Sequence, residues 1–115
     1  MAIKSYTDIE QSRKLAEILP LESADMYWRS LNLNGHISWT SHIKRLEPSL
    51  YDFEHYAPCW SLAALLDILP NENMLVKTTD GEYYCLAKDV MTKHYGNPVD
   101  ACMAMIEKLH ELKML

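Results

Sequence analysis

The sequence predicts an α+β fold, with three helices packed on a mainly antiparallel sheet formed by two β-hairpins, in the order α-ββ-α-ββ-α. Three observations predict it. The dipeptides Asn34-Gly35 and Asp80-Gly81 each sit inside runs that alternate between two faces, the strongest short hairpin signal. Stretches from Ile9 and from Val99 carry apolar residues at helical spacing. Between them, Pro58 to Pro70 is apolar nearly all round, as a short helix covered on most sides would be.

The first helix is announced by Thr7-Asp8-Ile9-Glu10, read as a capping box in which Thr7 accepts from the first turn and Glu10 reaches back. Ile9, Leu15, Ala16, Ile18 and Leu19 form its apolar stripe, and Pro20 ends it. The first hairpin, Asp25 to Ile43, turns at Asn34-Gly35, where both residues need positive φ. Pairing outward sets Asn32 opposite Ile37, Ser30 opposite Trp39, Trp28 opposite Ser41 and Met26 opposite Ile43. Met26, Trp28, Ile37, Trp39 and Ile43 then share the core face. Tyr27, Arg29, Leu31, Leu33, His36, Ser38, Thr40 and His42 share the other.

Pro58 suits the first turn of the central helix and Pro70 ends it at or before Leu69. The segment Leu65-Leu66-Asp67-Ile68-Leu69-Pro70 echoes Leu15-Ala16-Glu17-Ile18-Leu19-Pro20, and a hairpin follows each copy. In the second, Met74 to Ala87, a turn at Asp80-Gly81 groups Met74, Val76, Thr78, Tyr83, Cys85 and Ala87 on one face. Leu75, Lys77, Thr79, Glu82, Tyr84 and Leu86 take the opposite face. Asn97 as N-cap, Pro98 at the first helical position and Asp100 in the first turn open the last helix. Val99, Cys102, Met103, Met105, Ile106, Leu109 and Leu112 form its buried stripe. The segment from Lys44 to Ala57, rich in acids and aromatics, is longer than an ordinary connection and is the candidate functional loop. Lys88 to Tyr95 has room for one brief strand.

At 115 residues, with 49% hydrophobic and 23% charged residues, the chain is expected to form one domain, residues 1–115, with a real core. A formal net charge of −5 argues against a general nucleic-acid binder. Cys59, Cys85 and Cys102 are widely spaced and form no Cys-x-x-Cys pair, which fits free buried thiols in a reducing compartment. With no apolar run of signal-peptide or membrane-spanning kind, the reading is cytoplasmic, with no membrane partner.

Three segments carry a resemblance. They are Ile18-Leu19-Pro20-Leu21-Glu22-Ser23-Ala24-Asp25-Met26, the stretch Pro58-Cys59-Trp60-Ser61-Leu62-Ala63-Ala64-Leu65-Leu66, and Asn97-Pro98-Val99-Asp100-Ala101-Cys102 through Leu115. Together they resemble a family of short uncharacterised proteins from gut anaerobic bacteria, often carried in prophage-like regions. The resemblance implies a small cytoplasmic accessory protein of a phage or mobile element. It implies no activity, cofactor or catalytic residue.

Chemistry is sparse. Cys59-Trp60 at a helix start would lower the thiol pKa, as in papain-like hydrolases, but the hairpin that follows supplies no His partner. The five histidines show no metal-ligand spacing, and three glycines cannot write a phosphate loop, so neither metal nor cofactor is expected. The outer face of the first hairpin is the candidate binding site: Tyr27, Arg29, His36 and His42, with Tyr84 and Lys77 beside them if the hairpins join. The reading favoured is a non-enzymatic protein-interaction module. The alternatives are a single-stranded nucleic-acid-binding module using that face, and a Cys-dependent hydrolase at Cys59.

Overall fold

The computed structural model describes residues 4–42 and 55–115. The fold is α+β, with three helices and two three-stranded antiparallel sheets, and it follows the expected helix and hairpin order. The chain divides into two compact units, Thr7–Ser61 and Leu62–Leu115, the second joined by residues 4–6.

In the first unit α1 spans Ile9–Ile18, β1 Met26–Leu33, β2 His36–His42 and β3 Tyr56–Cys59, in sheet order β2-β1-β3. The capping box lies one residue later than expected. Asp8 is the N-cap, accepting from Gln11 N at 2.8 Å, while the Gln11 side chain accepts from Asp8 N at 3.1 Å. Thr7 is instead fully buried. Asn34 (φ 54°) and Gly35 (φ 81°) make the two-residue turn that was expected. The pairings Asn32 with Ile37, Ser30 with Trp39 and Trp28 with Ser41 hold as read; Ile43 lies outside the described residues.

The face of Trp28 and Trp39 meets α1. The Trp28 indole donates to Thr7 O at 3.1 Å and Ser12 Oγ at 3.2 Å, and the Arg13 guanidinium lies 5.2 Å from the Trp39 ring. Both tryptophans are half-buried, less than a core position implies, and Ile37 at the hairpin tip is 61% exposed. The core of this unit is closed by Leu15, Leu19, Ala24, Met26, Ala57, Cys59 and Trp60.

The main correction concerns Pro58 to Trp60. These residues do not open a helix. Pro58 and Cys59 belong to β3, which pairs with β1 through Met26–Cys59, Trp28–Ala57 and Arg29–Tyr56. Ser30 N donates to His55 O at 2.7 Å, and antiparallel ladders bond at every second pair, so Pro58 sits where no ladder N–H is needed. A proline before an apolar run fits an edge strand as well as a helix start.

In the second unit α2 spans Leu62–Ile68, β4 Met74–Lys77, β5 Tyr83–Ala87, β6 Val90–Met91 and α3 Pro98–Glu111. α2 is shorter than the expected Pro58–Leu69 helix, and it is not covered all round, since Ala63 and Asp67 are exposed. α3 is the most buried helix instead, with Val99, Cys102, Met103, Met105, Ile106 and Leu109 inside. Its start is as read, with Asn97 Oδ1 accepting from Asp100 N at 2.8 Å and Pro98 in the first turn. Lys4 joins this end through a 3.0 Å ion pair with Asp100. Leu112 falls past the helix end and is 52% exposed.

The echoed segments end their helices alike. Leu19 N donates to Leu15 O at 2.8 Å and Leu69 N to Leu65 O at 3.3 Å, with all four leucines buried. The second hairpin departs from expectation. Only Gly81 takes positive φ (83°), Gly81 N donates to Thr78 O at 3.1 Å, and Thr78 N donates to Glu82 O at 2.8 Å. This is a three-residue loop with a glycine bulge, one residue longer than a paired Asp-Gly turn. The Thr78 hydroxyl donates to the Asp80 carboxylate, which is thereby held below the usual carboxylate pKa, and accepts from Glu82 N at 3.0 Å. The register moves by one, so Met74 pairs with Leu86 and Val76 with Tyr84, and the expected faces are regrouped.

The turn from β5 to β6 is Lys88 (φ 48°) and Asp89 (φ 64°), both left-handed without glycine or asparagine. Asp89→Gly should stabilise the protein by about 0.5–1 kcal/mol, read as a higher urea midpoint at unchanged slope.

Candidate functional site

The face of the β2-β1-β3 sheet opposite α1 carries the side chains that alternation assigned to it. Tyr27 and His42 are direct cross-strand partners, and their rings stack with centroids 4.9 Å apart and planes 15° apart. Tyr56 from β3 leans in at 6.1 Å and 59°, so three rings from three strands meet. His42 Nε2 shares a 3.2 Å hydrogen bond with Thr40 Oγ1, which fixes the imidazole edge over its own strand. Arg29 lies between Thr40 and Tyr56 in the ladder and is exposed.

Placement of the expected site residues is mixed. Tyr27, Arg29 and His42 come together. His36 shares the face but sits at the hairpin tip opposite Leu33, six strand positions or roughly 20 Å from His42. Tyr84 belongs to the other unit's sheet, where it pairs with Val76 and stacks on His94 at 5.0 Å. Lys77 lies there too, its ammonium 5.8 Å from the Tyr83 ring. The two hairpins lie in different sheets, so Tyr84 is not part of the first hairpin's face. Tyr56 was missed, because it falls in the segment read as loop. The segment Tyr56-Ala57-Pro58-Cys59 gave no alternating signal, since Ala57, Pro58 and Cys59 are all buried and only Tyr56 is half-buried. Residues 43–54, the rest of that candidate loop, lie outside the described residues.

The electrostatics of the face are simple. Among its described residues Arg29 is the fixed charge, and none is a carboxylate. In a chain of net charge −5 this is a local reversal of sign.

Cys59 has a different setting from a nucleophile's. It lies at the end of a strand, fully buried, with its thiol 3.5 Å from Thr7 O and 3.7 Å from Thr7 Oγ1. Burial pushes the thiol up to about 11, against weaker opposing hydrogen bonds from Thr7 and Ser12. The folded thiol thus stays neutral from its ordinary value of 9.0 to about 11, while the unfolded chain loses its proton. The unfolded state then binds fewer protons, so stability should be complete below pH 9.0 and fall by as much as about 3 kcal/mol as pH rises to about 11. Urea unfolding at about pH 8 and about pH 10.5 should show this fall, and Cys59→Ala should reduce it. An identical slope in that variant would assign alkaline loss to other groups, such as Cys102, which the hydrogen bond with the Cys85 thiol, and then burial, also raise.

Among the described residues no group of three His, Cys, Asp or Glu side chains converges as a metal site. No described helix is long and apolar enough to cross a membrane. No protein-family model, curated protein or solved structure matches the chain.

Proposed function

We propose that this is a non-enzymatic protein-interaction module whose contact surface is the Tyr27–Arg29–His42–Tyr56 face. The carrying observation is the three-ring cluster beside an exposed arginine on a sheet face that holds no carboxylate among the described residues. Tyrosine and arginine dominate interface energetics because each joins contact area to a directional polar end. The resemblance to prophage-associated proteins of gut anaerobes supports an accessory role in a bacterial host, and the three free cysteines suit a cytoplasmic one.

The test is capture from the native host's lysate by the protein and by its Tyr27→Ala/Arg29→Ala variant, compared quantitatively. At least tenfold less of the specific partner should be retained by the variant, while helix content by circular dichroism is unchanged. Equal retention would remove this face. A second reading, single-stranded nucleic acid, is favoured by the near-parallel Tyr27–His42 stack, since bases stack on such platforms. Retention of an oligothymidylate with a steep salt dependence would favour it.

A further inference from the structure

Resting on that reading, we infer that the partner engages as an added β-strand on the outer edge of β2, and that it is an extended segment with acidic residues at alternate positions. The ladder dictates which groups are available. The two-residue turn makes Leu33–His36 the closing bonded pair, so bonded pairs recur at Leu31–Ser38, Arg29–Thr40 and Tyr27–His42. The bond from Ser30 N to His55 O is in phase with this, since even residues of β1 serve β3 and odd ones serve β2. His36, Ser38, Thr40 and His42 therefore turn their backbone groups inward, and Ile37, Trp39 and Ser41 turn theirs outward.

Sheet order leaves β2 at the margin, and among the described residues no strand pairs with it there. The opposite margin, β3, is blunted by Pro58. Among the described residues β2 has none of the usual protections. Its seven residues His36-Ile37-Ser38-Trp39-Thr40-Ser41-His42 include no proline, lysine or glutamate, and the register runs without a bulge. A strand of this length, whose outward donors and acceptors meet no strand among the described residues, is a template for another chain.

Charge selects the occupant. On the aromatic face an added strand would set its side chains beside His36, Ser38, Thr40 and His42, and a carboxylate opposite Thr40 would reach Arg29 across that short side chain. On the other face its residues would meet Ile37, which is 61% exposed, and Trp39, so apolar residues belong there. A second copy pairing antiparallel through its own β2 would bring a second Arg29 to the same face and, among the described residues, no carboxylate to meet it, so it offers no charge partner.

The probe is a decapeptide alternating glutamate and valine, added at millimolar concentration to the full-length ¹⁵N-labelled protein. Amide hydrogen exchange at Ile37, Trp39 and Ser41 should slow at least tenfold, while Ser38 and Thr40, already in the ladder, should change little. The same peptide N-methylated at its valines should give no protection, nor should a lysine–valine decapeptide, whereas Arg29→Glu should shift preference toward the lysine peptide. Protection by the N-methylated peptide, equal protection by the lysine peptide, or none from the glutamate peptide would overturn strand addition. Peptide shifts confined to Tyr27, Arg29 and Tyr56 would overturn it while leaving the interaction face intact. A thymidine decamer that perturbs those three residues more strongly than any peptide would overturn both readings.

Discussion

Trp60→Ala should be the most damaging single change in the molecule, lowering stability by about 3–5 kcal/mol. Trp60 is fully buried, and its indole donates to Ser23 Oγ at 2.9 Å. Truncation removes the largest fully buried side chain among the described residues, leaves a cavity in the core, and strips Ser23 of a partner. A domain of this size has about 5–15 kcal/mol in total, so the loss would bring the native state close to the threshold of unfolding. Urea denaturation at neutral pH measures it, with Trp60→Phe as the intermediate case that restores most of the volume but not the donor. A loss below about 1 kcal/mol would mean that Trp60 is not a core anchor, and would remove the packing account of this unit.

The next largest effect should come from a hydroxyl. Thr7 Oγ1 accepts from Trp60 N at 3.1 Å, shares a 2.7 Å hydrogen bond with Ser12 Oγ, and lies 3.7 Å from the Cys59 sulfur. Thr7 and Ser12 are both buried, so water does not replace a lost partner there. Thr7→Val keeps the volume but orphans the Trp60 N–H, at an expected cost of about 2–4 kcal/mol. Thr7→Ser keeps the hydroxyl and loses one methyl, costing about 1 kcal/mol. The order of the two variants is the test. If Ser proved as harmful as Val, methyl packing and not the hydrogen-bond network would be what joins the start of α1 to the chain after β3.

What was legible in the sequence was local. The Asn34-Gly35 turn could be read because both residues reach positive φ cheaply and the flanking alternation leaves one register, so the outer face with Tyr27, Arg29, His36 and His42 followed directly. The start of α3 could be read because Asn97 accepts from the orphan Asp100 N–H, Pro98 has no N–H to leave orphaned, and Asp100 sets a carboxylate at the positive end of the helix. Asp80-Gly81 carried the same signal as Asn34-Gly35 and gave a different loop, because the Thr78 side chain bonds both Asp80 and Glu82 and favours the bulged turn.

Tertiary structure decided the rest. Pro58-Cys59-Trp60 has no local preference strong enough to separate a helix start from an edge strand. Pairing with Met26 to Arg29 of β1, and Thr7 bonded to Trp60 in both directions, made it a strand. That choice carried Tyr56 onto the aromatic face and took Cys59 from a helix N-terminus into the core, changing its chemistry from activated to suppressed. Tyr84 was assigned to the first hairpin's face on the premise that the hairpins join. Strand partners far apart in sequence are chosen by which buried faces fit, and here the first hairpin took its third strand, β3, from beyond residues 43–54, while the second took β6 from just across the Lys88-Asp89 turn.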